Sequence, residues 1–177
     1  MKIVNEILSG CYLIEPKHFI DERGGFTKTY EANIYKSLGL MIDIREEFYS
    51  VSHRNVVRGM HFQIPPYDHD KVVYCTNGSV TDVLLDLRKG VNFGRVASVE
   101  LSCKNRMIVF VPKGIAHGFV ARTDNALVLY KTSSVYVPNA DSGIRWDSFG
   151  FNWNVENPIM SLRDQLHLKL EEFQTVF

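Results

Sequence analysis

The chain has 177 residues, of which 45% are hydrophobic and 23% charged, and its 20 basic and 20 acidic side chains leave no net charge. This length and composition predict one globular domain, residues 1–177, with a full hydrophobic core. Because the charges balance, neither nucleic acid nor an anionic membrane surface is expected as a partner, although a local basic pocket for a small phosphate ligand remains open.

The N-terminal sequence and the cysteines favour a cytoplasmic protein. Residues 1–13 carry polar side chains throughout, without the apolar core of a signal peptide, and no apolar run reaches membrane-spanning length. The cysteines, Cys11, Cys75 and Cys103, are odd in number, widely spaced and embedded in apolar sequence. We therefore expect buried free thiols in a reducing compartment rather than a disulfide framework or a zinc site.

The first marked turn is the segment Asp21-Glu22-Arg23-Gly24-Gly25-Phe26. Its glycines supply the positive φ that a tight turn requires, so a turn alone explains the segment. The functional alternative is a loop that presents Arg23 to a phosphate and Phe26 to a base or a sugar. After this turn, a short helix is predicted around residues 33–38.

Two segments each place a histidine after a glycine: Arg58-Gly59-Met60-His61-Phe62-Gln63 and Pro112-Lys113-Gly114-Ile115-Ala116-His117-Gly118-Phe119. Two such histidines can meet in one cavity. Their spacing resembles the cupin signature, whose first half supplies His-x-His and a later Glu, and whose second half supplies the last metal ligand. Only the second half is intact, because Gln63 replaces the second histidine and Lys71 stands near the position of the Glu. The pattern predicts a cupin-like barrel with a metal-free pocket.

His61 by itself is either a structural histidine or a general base. Its neighbours favour the second role, because Arg58 lies three residues before it and Lys71 ten after. Like charge disfavours the protonated imidazole and keeps the ring available as a base near neutral pH. The same two cations could also hold phosphates or a developing oxyanion.

Residues 48–138 read as short apolar, β-branched runs separated by turns, which predicts an all-β barrel or sandwich. We predict a hairpin in which residues 72–75 and 80–87 pair across a type I′ turn at Asn77-Gly78. In its second strand one face carries Val83, Leu85 and Leu87, and the other carries Asp82 and Asp86. Further strands are expected at residues 96–101, 107–111 and 126–132.

Tyr130 and Asp82 each have two interpretations. Tyr130 shares a strand face with Ala126 and Val128, so it either fills the core or, facing His61 across a barrel, donates a proton to the opposite side of a carbanion. Asp82 is either a surface carboxylate or part of the site.

The C-terminal segment begins with a helix signal at Ser161. Ser161 is the expected N-cap and Asp164, three residues later, completes a capping-box pattern. Apolar residues follow at helical spacing, namely Leu162, Leu166, Leu170 and Phe173. A short helix that packs across the barrel is expected, and its capping box gives Asp164 a structural explanation.

Collinear motifs covering nearly the whole chain resemble the dTDP-4-dehydrorhamnose 3,5-epimerase family. They are the turn at 21–26, the segments 58–66, 82–94 and 112–119, Tyr130-Lys131-Thr132, Tyr136-Val137-Pro138, Gly143-Ile144-Arg145-Trp146 and Ser161-Leu162-Arg163-Asp164. The resemblance implies a double-stranded β-helix, a cupin-like jelly roll, that forms a homodimer without a metal or an organic cofactor. It also implies epimerisation at C3, C5 or both of a nucleotide-linked 4-keto-6-deoxy sugar through an enolate.

The resemblance also implies residue roles. His61 matches the base, Asp164 its partner, Tyr130 the acid, and Lys71 the cation near the enolate oxygen. The positions that match substrate contacts are Arg58, Asp82 and His117 in the pocket, and Arg23, Phe26 and Tyr136 at the nucleotide end, some reaching from the partner subunit.

Four positions depart from the family pattern: Lys28, Glu46, Phe48 and His69. They lie toward the nucleotide in the resemblance, so the identity of the nucleotide stays open and a dTDP sugar is not expected to be the best substrate. The alternative functions are a 4-keto sugar-nucleotide isomerase on the same barrel, a non-catalytic sugar-nucleotide-binding cupin, and a metal cupin oxygenase, which Gln63 disfavours.

Overall fold

A computed structural model describes residues 1–177 and contains two packed antiparallel sheets and a two-stranded ribbon. The six-stranded sheet has the order β1 (Lys2–Leu8), β2 (Cys11–Glu15), β10 (Ile108–Val111), β7 (Lys71–Asn77), β12 (Ala126–Thr132), β5 (Glu46–Ser52). The five-stranded sheet has the order β13 (Asp141–Gly143), β6 (Val57–Gln63), β11 (Ile115–Ala121), β8 (Ser79–Asp86), β9 (Val96–Ser102). The ribbon pairs β3 (Lys17–Asp21) with β4 (Gly24–Lys28).

From β5 to β8 and again from β9 to β12, consecutive strands lie in alternate sheets. This alternation is that of a double-stranded β-helix and confirms the predicted all-β, cupin-like jelly roll. The predicted hairpin at Asn77-Gly78 was wrong, because β7 and β8 belong to different sheets and do not pair. Gly78 does adopt a positive φ of 72°. The turn therefore carries the chain across the barrel rather than back along the same sheet.

The main core lies between the two sheets, and each sheet buries a second core on its outer face. Val83 and Leu85 of β8 and Leu87 just after it share one face, as predicted, and that face packs in the outer core. The opposite face points into the barrel, and there both Asp82 and Asp86 are fully buried. Asp82 is therefore not a surface carboxylate. Burying a carboxylate without a partner is costly, so Asp82 requires a hydrogen-bond or ion-pair partner inside the barrel.

The outer face of the six-stranded sheet is covered by the short helix α1 (Ala32–Ser37), close to the predicted position. The outer face of the five-stranded sheet is covered by C-terminal residues, including Leu170, Phe173 and Phe177. No helix of the chain is long and apolar enough to cross a membrane. Cys11 and Cys75 are buried free thiols as expected, but Cys103 is exposed, because it lies past the end of β9.

The C-terminal helix is shorter than predicted. Helix α2 spans Leu162–Gln165, and a separate 3₁₀ turn spans Leu170–Glu172. The N-cap prediction is confirmed, since Ser161 Oγ accepts the N–H of Asp164 at 3.1 Å. The capping box is wrong, because the Asp164 carboxylate points to the barrel instead of to the backbone of Ser161. Leu162 and Leu166 stay 69% and 72% exposed, so helical spacing did not produce an apolar face there.

Candidate active site

A cavity of about 330 Å³ opens between the two sheets. Both sheets contribute to its wall, and most of its lining side chains are polar. The lining consists of Glu46, Phe48, Ser50, Arg58, His61, Phe62, Gln63, His69, Lys71, His117, Gly118, Phe119, Tyr130, Thr132, Tyr136, Asp141 and Arg163.

The two predicted histidines meet in this cavity because strands β6 and β11 pair with His61 directly opposite His117. Close backbone approach at this point depends on glycines. A Cβ on Gly59 would lie 2.6 Å from the Cα of Gly118, so a larger residue would push the strands apart. The two glycine–histidine motifs of the sequence are thus the two strands that form one wall of the site.

His61 is hydrogen-bonded to Asp164. Its Nε2 lies 2.9 Å from Asp164 Oδ1, and Asp164 Oδ2 accepts the backbone N–H of Gly59 at 3.1 Å. Burial alone would raise the pKa of Asp164, but the hydrogen bonds from His61 and Gly59 outweigh burial and hold the pKa well below its usual range. A permanently ionised Asp164 fixes the imidazole proton on Nε2, which leaves the lone pair of Nδ1 available as a base.

A second histidine–carboxylate pair lies deeper. His117 Nε2 is 2.6 Å from Asp82 Oδ2, and both side chains are buried. This pair satisfies Asp82 Oδ2, whereas Asp82 Oδ1 is buried without a hydrogen-bond partner. The pair also places a fixed imidazole in the cavity wall, edge-on to Tyr130 with ring centroids 5.9 Å apart.

Lys71 enters the cavity from β7 and donates from Nζ to the backbone carbonyl of His61 at 3.1 Å. Burial lowers the pKa of Lys71 to about 8, although the carboxylates of Asp141 and Asp82 partly oppose the shift. Near neutral pH the ammonium is therefore mostly charged, in a site that solvent screens poorly. A cation held in this way can stabilise a developing oxyanion.

The pKa of Lys71 predicts the alkaline limb of the pH–rate profile. If the charged ammonium stabilises the enolate, kcat should fall as pH rises through about 8, roughly tenfold for each further pH unit. Tyr130 cannot produce this limb, because burial raises its pKa far above that region. Turnover should be measured from pH 6 to 10 in the native protein and in Lys71→Met, with the fold monitored by circular dichroism. A profile that stays flat to pH 10 would contradict the role of Lys71.

Tyr130 lies on β12, in the sheet opposite His61, with Ala126 and Val128 on the same buried face as predicted. Its phenol is 3.4 Å from Ser50 Oγ, and Phe48 stacks on its ring with centroids 4.8 Å apart. Because burial raises its pKa, Tyr130 is protonated at neutral pH, the form that an acid requires.

A model of the dTDP-4-dehydrorhamnose 3,5-epimerase family matches residues 5–172 of the chain. The chain belongs to this family. A family member from Escherichia coli (strain K12) is 35% identical over 177 residues, covering 97% of this chain and 96% of the relative. The match confirms the predicted activity class: the protein is a carbohydrate epimerase that acts on a nucleotide-linked 4-keto-6-deoxy sugar.

Solved structures agree with this assignment. A dTDP-4-dehydrorhamnose 3,5-epimerase from Bacillus anthracis, solved with TDP and PPi bound, superposes with a TM-score of 0.92 at 32% identity and covers 95% of this chain and 98% of its own. A 3′-monoepimerase from Streptomyces bikiniensis in complex with dTDP-quinovose gives a TM-score of 0.87 at 26% identity, covering 97% and 88%. The fold is therefore shared by enzymes that differ in the carbons they invert.

Most of the family positions predicted from the sequence lie at this cavity. Arg58 and Tyr136 line it, and Arg58 is held by Ser52 Oγ at 3.0 Å. Arg23 and Phe26 do not, because they lie on the exposed ribbon, where Arg23 pairs with Asp21. Among the four positions that depart from the family pattern, Lys28 is also outside, bound to Glu31 at 2.7 Å, while the other three line the cavity.

Two cavity residues, Arg163 and Asp141, were not predicted as site residues from the sequence. Arg163 Nη1 lies 2.5 Å from Asp141 Oδ2, and Arg163 Nη2 lies 3.1 Å from His61 Nε2. Arg163 lies inside the quoted motif Ser161-Leu162-Arg163-Asp164 but had been given no role, and Asp141 lies two residues before the motif that begins at Gly143. Gln63, considered only as a replaced metal ligand, instead ties the loop that carries Tyr136 to the barrel, since its Oε1 accepts Val137 N–H at 2.7 Å.

Proposed function

We propose that the cavity epimerises its substrate by removing a proton on one face and returning one on the other. The observation that carries this proposal is that His61, paired with Asp164, and Tyr130 lie on opposite sheets around one cavity. Two proton-transfer groups on opposite walls suit inversion at carbon, whereas a ketone-moving isomerase needs transfer on a single face.

In the proposed reaction the C4 ketone acidifies the hydrogen on the neighbouring carbon. His61 takes that proton, and the C–H electron pair moves through the new C=C bond onto the C4 oxygen, beside the Lys71 ammonium. Tyr130 then protonates the carbon from the other face and the C=O re-forms. Solvent accepts the extra proton from His61 and returns a proton to Tyr130. Each positioned acid or base contributes about 10²- to 10⁴-fold, and the fixed cation adds enolate stabilisation.

We further propose that the protein is a homodimer, in which the ribbon β3–β4 of one subunit completes the nucleotide end of the other subunit's site. The ribbon exposes Phe19, Ile20 and Phe26, which are 59%, 76% and 61% accessible in the single chain. An apolar ribbon of this kind is typical of a surface that a partner covers. Sedimentation equilibrium should give twice the mass of one chain, and Phe26→Asp together with Ile20→Asp should shift the mass toward the monomer.

One set of candidate substrates can test both the proposed reaction and which nucleotide the enzyme prefers. The relatives' names point to a dTDP sugar, whereas Glu46 and Phe48 in the cavity wall motivate the prediction that dTDP is not the preferred nucleotide. A change of donors and acceptors in a site that hydrogen-bonds a base can alter selectivity by orders of magnitude. The dTDP-, CDP- and GDP-4-keto-6-deoxy sugars should therefore compete in D₂O, with NMR of C3 and C5.

Deuterium and inversion at C3 and C5 of any of these sugars are the expected result. Label at C3 alone would make the protein a monoepimerase, and migration of the ketone would favour the isomerase. Binding without label would leave a non-catalytic sugar-nucleotide protein. If the dTDP sugar is processed fastest, the prediction about the nucleotide is wrong and Glu46 and Phe48 are neutral changes. The absence of a required cofactor and a cytoplasmic location stay predictions.

A further inference from the structure

Asp164 has a second histidine neighbour that the reaction does not use. His167 Nε2 lies 3.8 Å from Asp164 Oδ1, and the ring of His167 meets that of His61 edge-on, with centroids 5.8 Å apart. The three ligand atoms, one each from His61, Asp164 and His167, all lie within 4.8 Å of one another. Two imidazoles and a carboxylate around one point are a donor set that binds zinc and similar divalent transition metals.

His167 is buried in a way that leaves its ring nitrogen without a partner. The side chain is only 13% exposed, and Nε2 is buried without any hydrogen bond. The ring occupies space that a glycine leaves open, because a Cβ on Gly143 would lie 2.4 Å from Nε2. A buried, unpaired polar nitrogen costs stability unless something satisfies it.

We propose that His61, Asp164 and His167 form a zinc site that inhibits the enzyme. Ligand atoms around a tetrahedral zinc are about 3.3 Å apart, since each metal–ligand bond is about 2.0 Å. The observed separations of 2.9 Å and 3.8 Å to Asp164 Oδ1 bracket that value, and the two histidine ligand atoms lie within 4.8 Å of each other. The fourth position is left for water, as in a three-ligand site.

Zinc binding would remove the base, and this consequence rests on the proposed function. The metal needs the lone pair of His61 Nε2, so the proton on that nitrogen leaves and Nδ1 becomes protonated, with no net release of a proton. The imidazole then has no free lone pair for the substrate. Asp164 is neutralised by the same ion, and both members of the proton-abstracting pair are lost together.

Arg163 limits the affinity of this site. Its guanidinium is 3.1 Å from His61 Nε2 and 3.6 Å from Asp164 Oδ1, so it repels a cation and must turn away when zinc binds. The turn is feasible, because the side chain is 53% exposed and already pairs with Asp141. Removing this charge should therefore strengthen zinc binding, an effect opposite to that expected of a residue that merely supports the fold.

Equilibrium dialysis against Zn²⁺, with the bound metal measured by mass spectrometry, tests the site without reference to activity. The native protein should bind one zinc per chain, His167→Ala should raise the Kd by about 100-fold, and Arg163→Gln should lower it by about threefold. His167→Gln, which keeps most of the side-chain volume, is included in case the alanine variant unfolds. His53→Ala is the matched control, because His53 is 81% exposed and remote, and it should bind zinc as the native protein does.

The activity arm uses the preferred nucleotide sugar with and without zinc. Zinc should inhibit the native enzyme reversibly, with recovery on adding EDTA, while His167→Ala or His167→Gln should retain near-native turnover and resist inhibition. Equal zinc affinity in the native protein and both His167 variants, or no stoichiometric binding, would overturn the proposal. If zinc binds as expected but the native protein epimerises nothing, the proposed function fails and the metal site stands.

Discussion

Replacing His61 by asparagine should abolish solvent deuterium incorporation at every carbon of the substrate. Asp164 Oδ1 lies 2.9 Å from His61 Nε2 and fixes the imidazole proton on that nitrogen, which leaves Nδ1 free as the base. No other group in the proposed reaction can take the proton from carbon. The loss should exceed about 10⁴-fold, because a positioned base is removed together with the function of its partner. The measurement is NMR of the sugar after long incubation in D₂O with the variant, after checking that it is folded.

His117→Asn is the matched control for this variant. His117 is also a cavity histidine paired with a buried carboxylate, Asp82 at 2.6 Å, but it is assigned to the wall of the pocket rather than to proton abstraction. The control should still exchange deuterium, more slowly than the native enzyme. Exchange lost in His117→Asn and retained in His61→Asn would move the base to the second pair.

The second large effect is expected from Asp164→Asn. Asparagine is uncharged, cannot stabilise the imidazolium that forms when His61 takes a proton, and can favour the wrong tautomer. Turnover should fall by about 10³- to 10⁴-fold. The free energy of unfolding should fall by only about 1 kcal/mol, because the amide oxygen can still accept the Gly59 N–H. Steady-state turnover and urea unfolding on the same preparation measure both quantities.

Ser161→Ala separates the capping role of this segment from its catalytic role. Ser161 Oγ accepts the N–H of Asp164. Its loss removes the helix cap and also the smallest of the hydrogen-bond contributions that lower the pKa of Asp164, while the larger ones, from His61 and Gly59, remain. Stability should fall by about 1 kcal/mol while turnover stays within a few fold of the native value. If instead Asp164→Asn behaves like Ser161→Ala, with reduced stability and near-native exchange, Asp164 does not belong to the catalytic set.

Local sequence patterns predicted the strands well and their partners poorly. Alternation along β8 assigned Val83, Leu85 and Leu87 to one face correctly, because a period of two depends only on the strand itself. Asn77-Gly78 was misassigned, since the same positive-φ dipeptide serves a hairpin and a crossing between sheets. The choice depends on which strands hydrogen-bond to β7 and β8. β7 pairs with β10 and β12, and β8 pairs with β9 and β11, so three of the four partners lie far along the chain.

In the candidate site, too, local motifs were predicted correctly and contacts between distant segments were not. His61 and His117 were placed in one cavity because their glycine motifs mark the strands that carry them. Asp164 had two explanations in the sequence, and the structure distinguishes them geometrically: its N–H is capped by Ser161, and its carboxylate is left for His61. Arg163, although part of a quoted motif, and His167 were given no role, because their contacts arise from side chains that converge only when the C-terminal segment crosses β6.

The measurement that bears most directly on opposite-face proton transfer is the pair of rates in Tyr130→Phe. Removing the phenol should leave exchange intact, because His61 can take a proton and return a deuteron to the same face, while inversion falls by about 10²- to 10⁴-fold. Both rates are read from one NMR time course in D₂O, with deuterium in the recovered substrate reporting exchange and the epimer reporting inversion. Rapid exchange with little epimer is the predicted result. Unimpaired inversion in Tyr130→Phe would contradict the account and place the acid on another residue of the cavity.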